Sequence, residues 1–94
     1  MKKISFLVNP YSGGQQGRVL IKRLNTLLES GQISGTIIEL DLSKFNAQVV
    51  EAARSDLIMV AGGDGSIHNL LPYLLAAERP VGIIPLGTGN DLAR

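Results

Sequence analysis

The segment LIMVAGGDGSIHN, residues 57–69, joins a short apolar run to three glycines that surround a single aspartate. Residues 57–61 are aliphatic and end at glycine, which predicts a strand buried on both faces. Glycine loses more conformational freedom on folding than any other residue. Three glycines directly after a buried strand therefore indicate either a tight turn or a backbone that lies close to a ligand.

The same succession of apolar runs and amphipathic segments extends along the rest of the chain. Strands are predicted at residues 4–8, 36–40, 57–61 and 81–84. Apolar residues spaced three and four apart predict the helices between them. We expect Gly31 to end the first helix, Ser43 to cap the second, and the third to begin near Ser66. Pro72 conflicts with the third helix, because it has no N–H to donate and should kink or delay it.

Strands that alternate with helices of this length imply right-handed crossovers and a mainly parallel sheet covered on both faces. We therefore predict a three-layer α/β/α fold. Residues 1–94 are expected to form a single, incomplete domain, because the last residues, NDLAR, resemble the start of a further helix. The sequence is thus expected to be the front part of a longer protein.

The composition argues against several classes of function. A net charge of +1 gives no strong attraction to nucleic acid or to an anionic membrane. The absence of cysteine excludes a disulfide scaffold and a cysteine-based metal site. The apolar run at the N-terminus is too short for a signal peptide or a membrane span. We expect a cytoplasmic protein without a transmembrane segment.

Most of the eleven glycines lie in three loops, and each loop follows a predicted strand. Loops that follow the strands of a parallel sheet emerge at the same edge, where open α/β sheets bind ligands. Backbone amides in such loops, next to the start of a helix, favour an anion. One glycine-rich loop alone would be explained by a tight turn, but three at one edge favour a ligand that carries phosphate.

Asp64 needs an explanation, because a carboxylate between the glycines would repel a phosphate unless a cation intervened. It could hold Mg²⁺ or a Mg²⁺-bound water beside a triphosphate, or contact a ribose or acceptor hydroxyl. Alternatively Asp64 or Ser66 caps the following helix. The P-loop and dinucleotide-binding spacings are both missing.

Three motifs together resemble the catalytic domain of diacylglycerol kinases and related lipid kinases, a superfamily that includes sphingosine and ceramide kinases. They are FLVNPYSGG (residues 6–14), GGDGSIHN (62–69) and PLGTGNDLAR (85–94). GGDG alone is also found in NAD kinases and phosphofructokinases, whereas the first and third motifs are more specific. The resemblance implies an ATP-binding domain of the NAD kinase/diacylglycerol kinase type, followed in the whole protein by a β-rich second domain.

The resemblance also implies which residues bind ATP and Mg²⁺. Asp64 is the implied catalytic residue, and most metal ligands, the general base and the lipid cleft are expected in the second domain. Asp41 matches no motif and is a candidate for a nucleoside contact because it follows the second strand. The implied nucleotide-binding residues are Asn9, Pro10, Tyr11, Ser12, Gly13, Gly62, Gly63, Asp64, Gly65, Ser66, Ile67, His68, Asn69, Thr88, Asn90 and Asp91.

The implied reaction is transfer of the γ-phosphate of MgATP to the hydroxyl of a diacylglycerol-like lipid. Residues 1–94 alone are expected to bind nucleotide weakly and not to turn over. His68 and Asn69 stand where the bacterial pattern often has Asn and Glu, so a non-catalytic nucleotide-binding regulatory domain stays open as an alternative. A related kinase with a soluble acceptor such as NAD is another. Peripheral membrane contact and self-association are compatible with the sequence.

Overall fold

The computed structural model describes residues 2–86. Four parallel strands form one sheet in the order β2-β1-β3-β4. The strands are β1 (Lys3–Val8), β2 (Ser34–Glu39), β3 (Leu57–Gly62) and β4 (Val81–Pro85). The two central strands, β1 and β3, carry the most deeply buried side chains, as their apolar runs predict.

Three helices connect the strands: α1 (Gln16–Glu29), α2 (Phe45–Ala52) and α3 (Asp64–Ala77). α1 packs on one face of the sheet through Leu24, which meets Phe6 and Val8. α2 and α3 cover the other face, where Leu7 lies among their apolar residues. The predicted three-layer α/β/α architecture with a parallel sheet is therefore confirmed for residues 2–86.

The carboxyl ends of the four strands lie at one edge of the sheet. Val8 is in register with Glu39 of β2 and with Ala61 of β3, and Gly62 is in register with Pro85 of β4. The loops that follow these strands consequently begin side by side, as expected for a parallel sheet. The proximity of sequence-distant loops follows from this register.

Several local predictions need correction at the ends of elements. β2 begins at Ser34 and ends at Glu39, two residues before Asp41. Asp41, rather than Ser43, caps the 3₁₀ turn (Leu42–Lys44) that leads into α2, since its carboxylate accepts the Ser43 N–H. Ser43 is nevertheless part of the same turn, because its hydroxyl also donates to Asp41.

The third helix departs from its prediction in two ways. α3 begins at Asp64 rather than near Ser66, and Pro72 neither delays nor interrupts it. Leu70 and Leu74 are buried, whereas Leu71 and Leu75 are exposed although their spacing continues the apolar pattern of the helix. The helix tolerates Pro72 because burial of the Leu70 and Leu74 side chains offsets the loss of one backbone hydrogen bond.

Candidate functional site

Asn9 connects the loop after β1 to the start of α3. Its backbone N–H donates to the Ala61 carbonyl over 2.9 Å, which continues the pairing of β1 with β3. Its side-chain oxygen accepts the Tyr11 N–H at 3.0 Å, and its side-chain nitrogen donates to the Ser66 hydroxyl at 2.7 Å. The oxygen of the Asn9 carboxamide therefore shapes the first loop, and its nitrogen joins this loop to the start of α3.

Ser12 makes a second connection between the same loops, because its hydroxyl accepts the Gly63 N–H at 3.2 Å. The chain then turns through Gly13 and Gly14, whose φ angles of 64° and 65° lie in the left-handed region that glycine adopts without strain. A side chain at Gly17 would overlap the Asn9 carbonyl. The first loop thus folds back so that the start of α1 lies against it.

The N-terminus of α3 presents backbone amides at the edge of the sheet. Gly63 is its N-cap residue, and the first helical bond runs from the Ile67 N–H to the Gly63 carbonyl. The amides of Asp64, Gly65 and Ser66 have no hydrogen-bond partner within residues 2–86. Free amides and the helix dipole together make such an end a site for an anion.

Within residues 2–86 no side chain caps α3, so the alternative that Asp64 or Ser66 does so is wrong. Ser66 instead accepts the hydrogen bond from Asn9. Asp64 is exposed in the first turn of the helix, where its charge is favourable toward the dipole. Its carboxylate makes no hydrogen bond to any of residues 2–86 and is open to a ligand or a cation.

The glycines of the second loop differ in how much space surrounds them. A β-carbon on Gly62 would lie 3.0 Å from that of Ser66, whereas one on Gly65 would meet no atom within 4 Å. Gly62 is therefore needed for packing. Gly65 keeps open the surface of the amide cluster, by which we mean the backbone amides of residues 64–66. The Leu86 N–H donates to the Gly62 carbonyl at 2.9 Å, so the third loop starts beside the second. Thr88, Asn90 and Asp91 lie outside the described residues.

A cavity of about 610 Å³ lies on the other side of Asn9, a volume typical of sites for small ligands. Tyr11 stands at its rim, 73% exposed, with the Arg18 guanidinium carbon 5.3 Å from the centre of the ring. This cation–π contact holds the Tyr11 ring at the mouth of the cavity. The lining residues are Asn9, Pro10, Tyr11, Glu39, Leu40, Asp41 and Phe45.

Asp41 lies at the end of the wall that β2 contributes to this cavity. Hydrogen bonds from the Ser43 hydroxyl and the Ser43 N–H lower the pKa of the Asp41 carboxyl below its ordinary value of 3.8, and Lys44 acts in the same direction. The carboxylate is therefore charged at neutral pH. Both bonds go to the same oxygen, Oδ1, so the second oxygen is free to accept a hydrogen bond from a ligand hydroxyl.

Of the remaining residues of the second motif, one packs against the core and two are exposed to solvent. Ile67 is half-buried and packs against the core between the sheet and the helices α2 and α3. His68 and Asn69 are exposed on α3. The structure thus brings Asn9, Ser12 and residues 62–66 together directly, while Ile67 contributes to the fold rather than to an open surface.

Around the end of β2, sequence reasoning named Asp41 but missed the other residues that contribute to the site. Glu39, Leu40 and Phe45 line the cavity, and Gln48 hydrogen-bonds to the backbone of this segment. The position of Glu39 and Leu40 at the end of a strand was a usable signal. Nothing in the local pattern around Gln48 distinguishes it from an ordinary exposed helix residue.

Among residues 2–86, no group of three or more histidine, aspartate or glutamate side chains is arranged to hold a metal ion. In the described part of the chain, Asp64 is the only carboxylate of the amide cluster. Mg²⁺ often binds through one or two carboxylates together with substrate phosphates, so the residues present fit a metal ion that arrives with a nucleotide. In the same range of residues, no helix is long and apolar enough to cross a membrane.

Comparison with known proteins identifies the family. The model of the diacylglycerol kinase catalytic domain matches residues 3–94. The chain belongs to the diacylglycerol kinase catalytic domain family. The predicted resemblance is therefore confirmed, and it extends over almost the whole chain.

Individual relatives support the same assignment. The chain is 36% identical to mouse diacylglycerol kinase iota, over 100% of this chain and 9% of that protein. It is 39% identical to diacylglycerol kinase 3 of Arabidopsis thaliana, over 93% of this chain and 22% of that protein. The crystal structure of a diacylglycerol kinase from Bacillus anthracis str. Sterne is similar, with a TM-score of 0.73 and 30% identity, over 99% of this chain and 34% of that one. The chain thus spans between 9% and 34% of the length of these relatives.

Proposed function

We propose that this chain is the ATP-binding part of a lipid kinase, which transfers the γ-phosphate of MgATP to the hydroxyl of a diacylglycerol-like lipid. The observation that carries the proposal is the pair of hydrogen bonds that join two loops at the N-terminus of α3. Asn9 and Ser12 hold the first loop against Ser66 and Gly63, next to three backbone amides without a partner in the described part of the chain. Membership of the diacylglycerol kinase family supports a phosphate-bearing substrate at this place.

In this proposal the amides of residues 64–66 bind the phosphate groups of ATP. Phosphoryl transfer depends mainly on positioning the groups and on neutralising the charge of the transferred phosphoryl. Three amides and a helix dipole supply partial positive charge without any lysine at the loop. The exposed Gly65 lets the phosphates approach the backbone closely, since no side chain covers it.

Asp64 would hold the magnesium ion that accompanies ATP, either directly or through a bound water. Its exposed carboxylate lies in the first turn of α3, so a negative charge there would repel phosphate unless a cation lay between them. Mg²⁺ supplies charge neutralisation between the phosphate oxygens when it is bound. We assign Asp64 as the catalytic residue of this domain on that ground.

The cavity beside Asn9 would take the nucleoside of ATP. It opens next to the amide cluster, because Asn9 belongs to its lining and is also bonded to Ser66. Pro10 and Tyr11 give it an apolar side, and the free oxygen of Asp41 can accept a hydrogen bond from a ribose hydroxyl. Thr88, Asn90 and Asp91 would complete the nucleotide site from the third loop.

The acceptor side of the reaction lies outside this chain in the proposal. The similar Bacillus anthracis chain is about three times as long as the part that is matched here. The general base, further metal ligands and an apolar cleft for the lipid would come from the remainder of the protein. Residues 1–94 alone would therefore bind nucleotide weakly and would not turn over. The whole protein would act in the cytoplasm and contact the membrane when it engages its lipid.

An assay with radiolabelled ATP on the full-length protein tests the proposal. Diacylglycerol in mixed micelles should become labelled, and NAD without lipid should not. Labelling of NAD instead would establish a soluble acceptor. Binding of MgATP without transfer to any tested lipid would establish a regulatory nucleotide-binding domain. The absence of both binding and transfer would refute the nucleotide site itself.

A further inference from the structure

The side chain of Gln48 bridges two backbone groups at the end of β2. Its oxygen accepts the Asp41 N–H at 3.0 Å, and its nitrogen donates to the Glu39 carbonyl at 2.8 Å. Gln48 lies on α2 and is half-buried. Both polar atoms of its carboxamide are thus used on one short segment of main chain.

This pattern reproduces the pairing of a neighbouring parallel strand. The N–H of Leu40 donates to the Val8 carbonyl at 2.8 Å, so Leu40 faces β1 and the polar groups of its two neighbours face outward. β2 is the edge strand on that side of the sheet, and it has no strand beyond it among the described residues. A glutamine carboxamide carries a carbonyl acceptor and an N–H donor, as a peptide group does. Gln48 therefore takes the place of the missing strand and keeps residues 39–41 extended.

The segment that Gln48 holds is one wall of the cavity beside Asn9. Glu39, Leu40 and Asp41 all line the cavity, whereas Gln48 itself does not. Among residues 2–86, no other side chain supports the backbone of this wall: the hydrogen bonds from Ser43 fix the Asp41 carboxylate but not the backbone before it. The position of this wall relative to the loop of Asn9 therefore depends on the backbone bond from Leu40 to Val8 on one side and on the contact that Gln48 makes on the other.

We propose that Gln48 is a positioning residue for the nucleoside end of the ATP site. It sets the wall that carries Asp41 and makes no contact with the nucleotide. The inference rests on the proposed function, because it assigns the cavity to the nucleoside. It predicts that loss of the carboxamide weakens binding of the nucleoside and leaves binding of the phosphates unchanged.

Steady-state kinetics of the full-length protein test this with two variants and a control. Gln48→Ala removes both hydrogen bonds, and Gln48→Glu keeps an acceptor for the Asp41 N–H but has no donor for the Glu39 carbonyl. Gln32→Ala is the matched control, because Gln32 is exposed and lies outside the cavity. The KM for MgATP, kcat and the inhibition constant of inorganic tripolyphosphate are measured for each protein. Tripolyphosphate probes the phosphate site without a nucleoside.

For Gln48→Ala we expect the KM for MgATP to rise roughly five- to twentyfold, because displacement of the wall would cost about one hydrogen bond between Asp41 and the nucleoside. The kcat should stay within about twofold and the tripolyphosphate constant should not change, because both report on the phosphate end. Gln48→Glu should also raise the KM, because its second oxygen would face the Glu39 carbonyl and could only repel it, and it provides the measurement if the alanine variant does not fold. Gln32→Ala should behave as the wild type.

Two results would overturn the positioning role while leaving the proposed function intact. One is an unchanged KM for MgATP in both Gln48 variants. The other is an equal rise in KM and in the tripolyphosphate constant, which would show a general loss of structure. If the wild-type protein neither bound nor used MgATP, the proposed function and this inference would both be refuted.

Discussion

The side-chain nitrogen of Asn9 donates to the Ser66 hydroxyl over 2.7 Å, across 57 positions of sequence. The bond joins the loop after β1 to the first turn of α3, and it is partly buried. A partly buried hydrogen bond of this kind stabilises the fold and also fixes the relative position of the two loops. The fold and the candidate nucleotide site therefore depend on the same contact.

The coupling between Asn9 and Ser66 can be measured with Asn9→Ala, Ser66→Ala and the double variant. Each single change should lower the free energy of unfolding by about 1–3 kcal/mol, because it leaves the partner without a hydrogen bond. The double variant should lose less than the sum of the two, with a coupling of at least ~0.5 kcal/mol. Urea denaturation of the full-length protein provides the measurement. Strict additivity would show that the contact does not contribute.

Substitution of Gly17 and of Gly65 by alanine should have opposite effects on stability. A β-carbon at Gly17 would overlap the backbone of Asn9 and Pro10, and we expect a loss of about 1–3 kcal/mol. Gly65 lies in the first turn of α3 with open space around it, so alanine there should raise stability by about 0.5–1 kcal/mol.

The same two glycine variants distinguish an effect on stability from an effect on nucleotide binding. Gly65→Ala should weaken the binding of MgATP although it stabilises the protein, because the methyl group would cover the amide cluster. Thermal denaturation and a nucleotide titration on the same samples provide both readouts. Unaltered MgATP affinity in a stabilised Gly65→Ala protein would argue against phosphate binding at these amides.

Pro72→Ala should stabilise the protein. Pro72 lies inside α3 and is exposed, so its cost is the hydrogen bond that it cannot donate to the preceding turn. Alanine restores that donor, and we expect a gain of about 1–3 kcal/mol. Pro80→Ala is the matched control: Pro80 lies in a loop, where loss of proline should cost about 0.4–1 kcal/mol. A loss of stability in Pro72→Ala would mean that the helix requires the ring.

The Asp41 carboxylate should contribute to stability only above acidic pH. Its pKa is lower in the folded protein than its ordinary value of 3.8, because Ser43 donates two hydrogen bonds to the charged form. A carboxylate whose pKa is lowered by folding stabilises the folded state at pH values above its ordinary pKa. This stabilisation is lost as the pH falls through the pKa of the folded state. The stability difference between wild type and Asp41→Asn should be constant from pH 5 to 7 and should shrink below about pH 4. A difference that does not change with pH would contradict this assignment.

The parallel sheet and the meeting of the glycine loops could be predicted because they follow from repetition along the sequence. Strands separated by helices leave one topology for the crossovers, and the register of β1, β3 and β4 then brings the loops together. Asn9 and Ser66 could be predicted as site residues for a different reason, because both belong to motifs of a recognised family. Their direct hydrogen bond was not predicted, because it depends on how the two loops fold.

The choice between neighbouring residues with similar propensities could not be predicted. Asp41 and Ser43 can both cap a helix, and the strand end determines which of them faces the free amides. Gln48 was missed because its role depends on packing of α2 beside the end of β2, which no local pattern records. Leu71 and Leu75 continue the apolar spacing of α3, yet the sheet covers only the side that carries Leu70 and Leu74.

Removal of the Asp64 charge tests the assigned catalytic role. Asp64→Asn in the full-length protein should lower kcat for lipid phosphorylation by orders of magnitude, as loss of a metal-holding carboxylate implies. The melting temperature should stay close to that of the wild type, because the side chain is exposed and caps nothing. Near-normal kinetics would leave Asp64 without a role in the reaction.

The most direct measurement is a crystal structure of the full-length protein with Mg²⁺ and a non-hydrolysable ATP analogue. We predict phosphate oxygens within hydrogen-bond distance of the amides of residues 64–66, the metal ion beside Asp64, and the nucleoside in the cavity between Tyr11 and Asp41. An analogue bound at another edge of the sheet, with the N-terminus of α3 free, would contradict it.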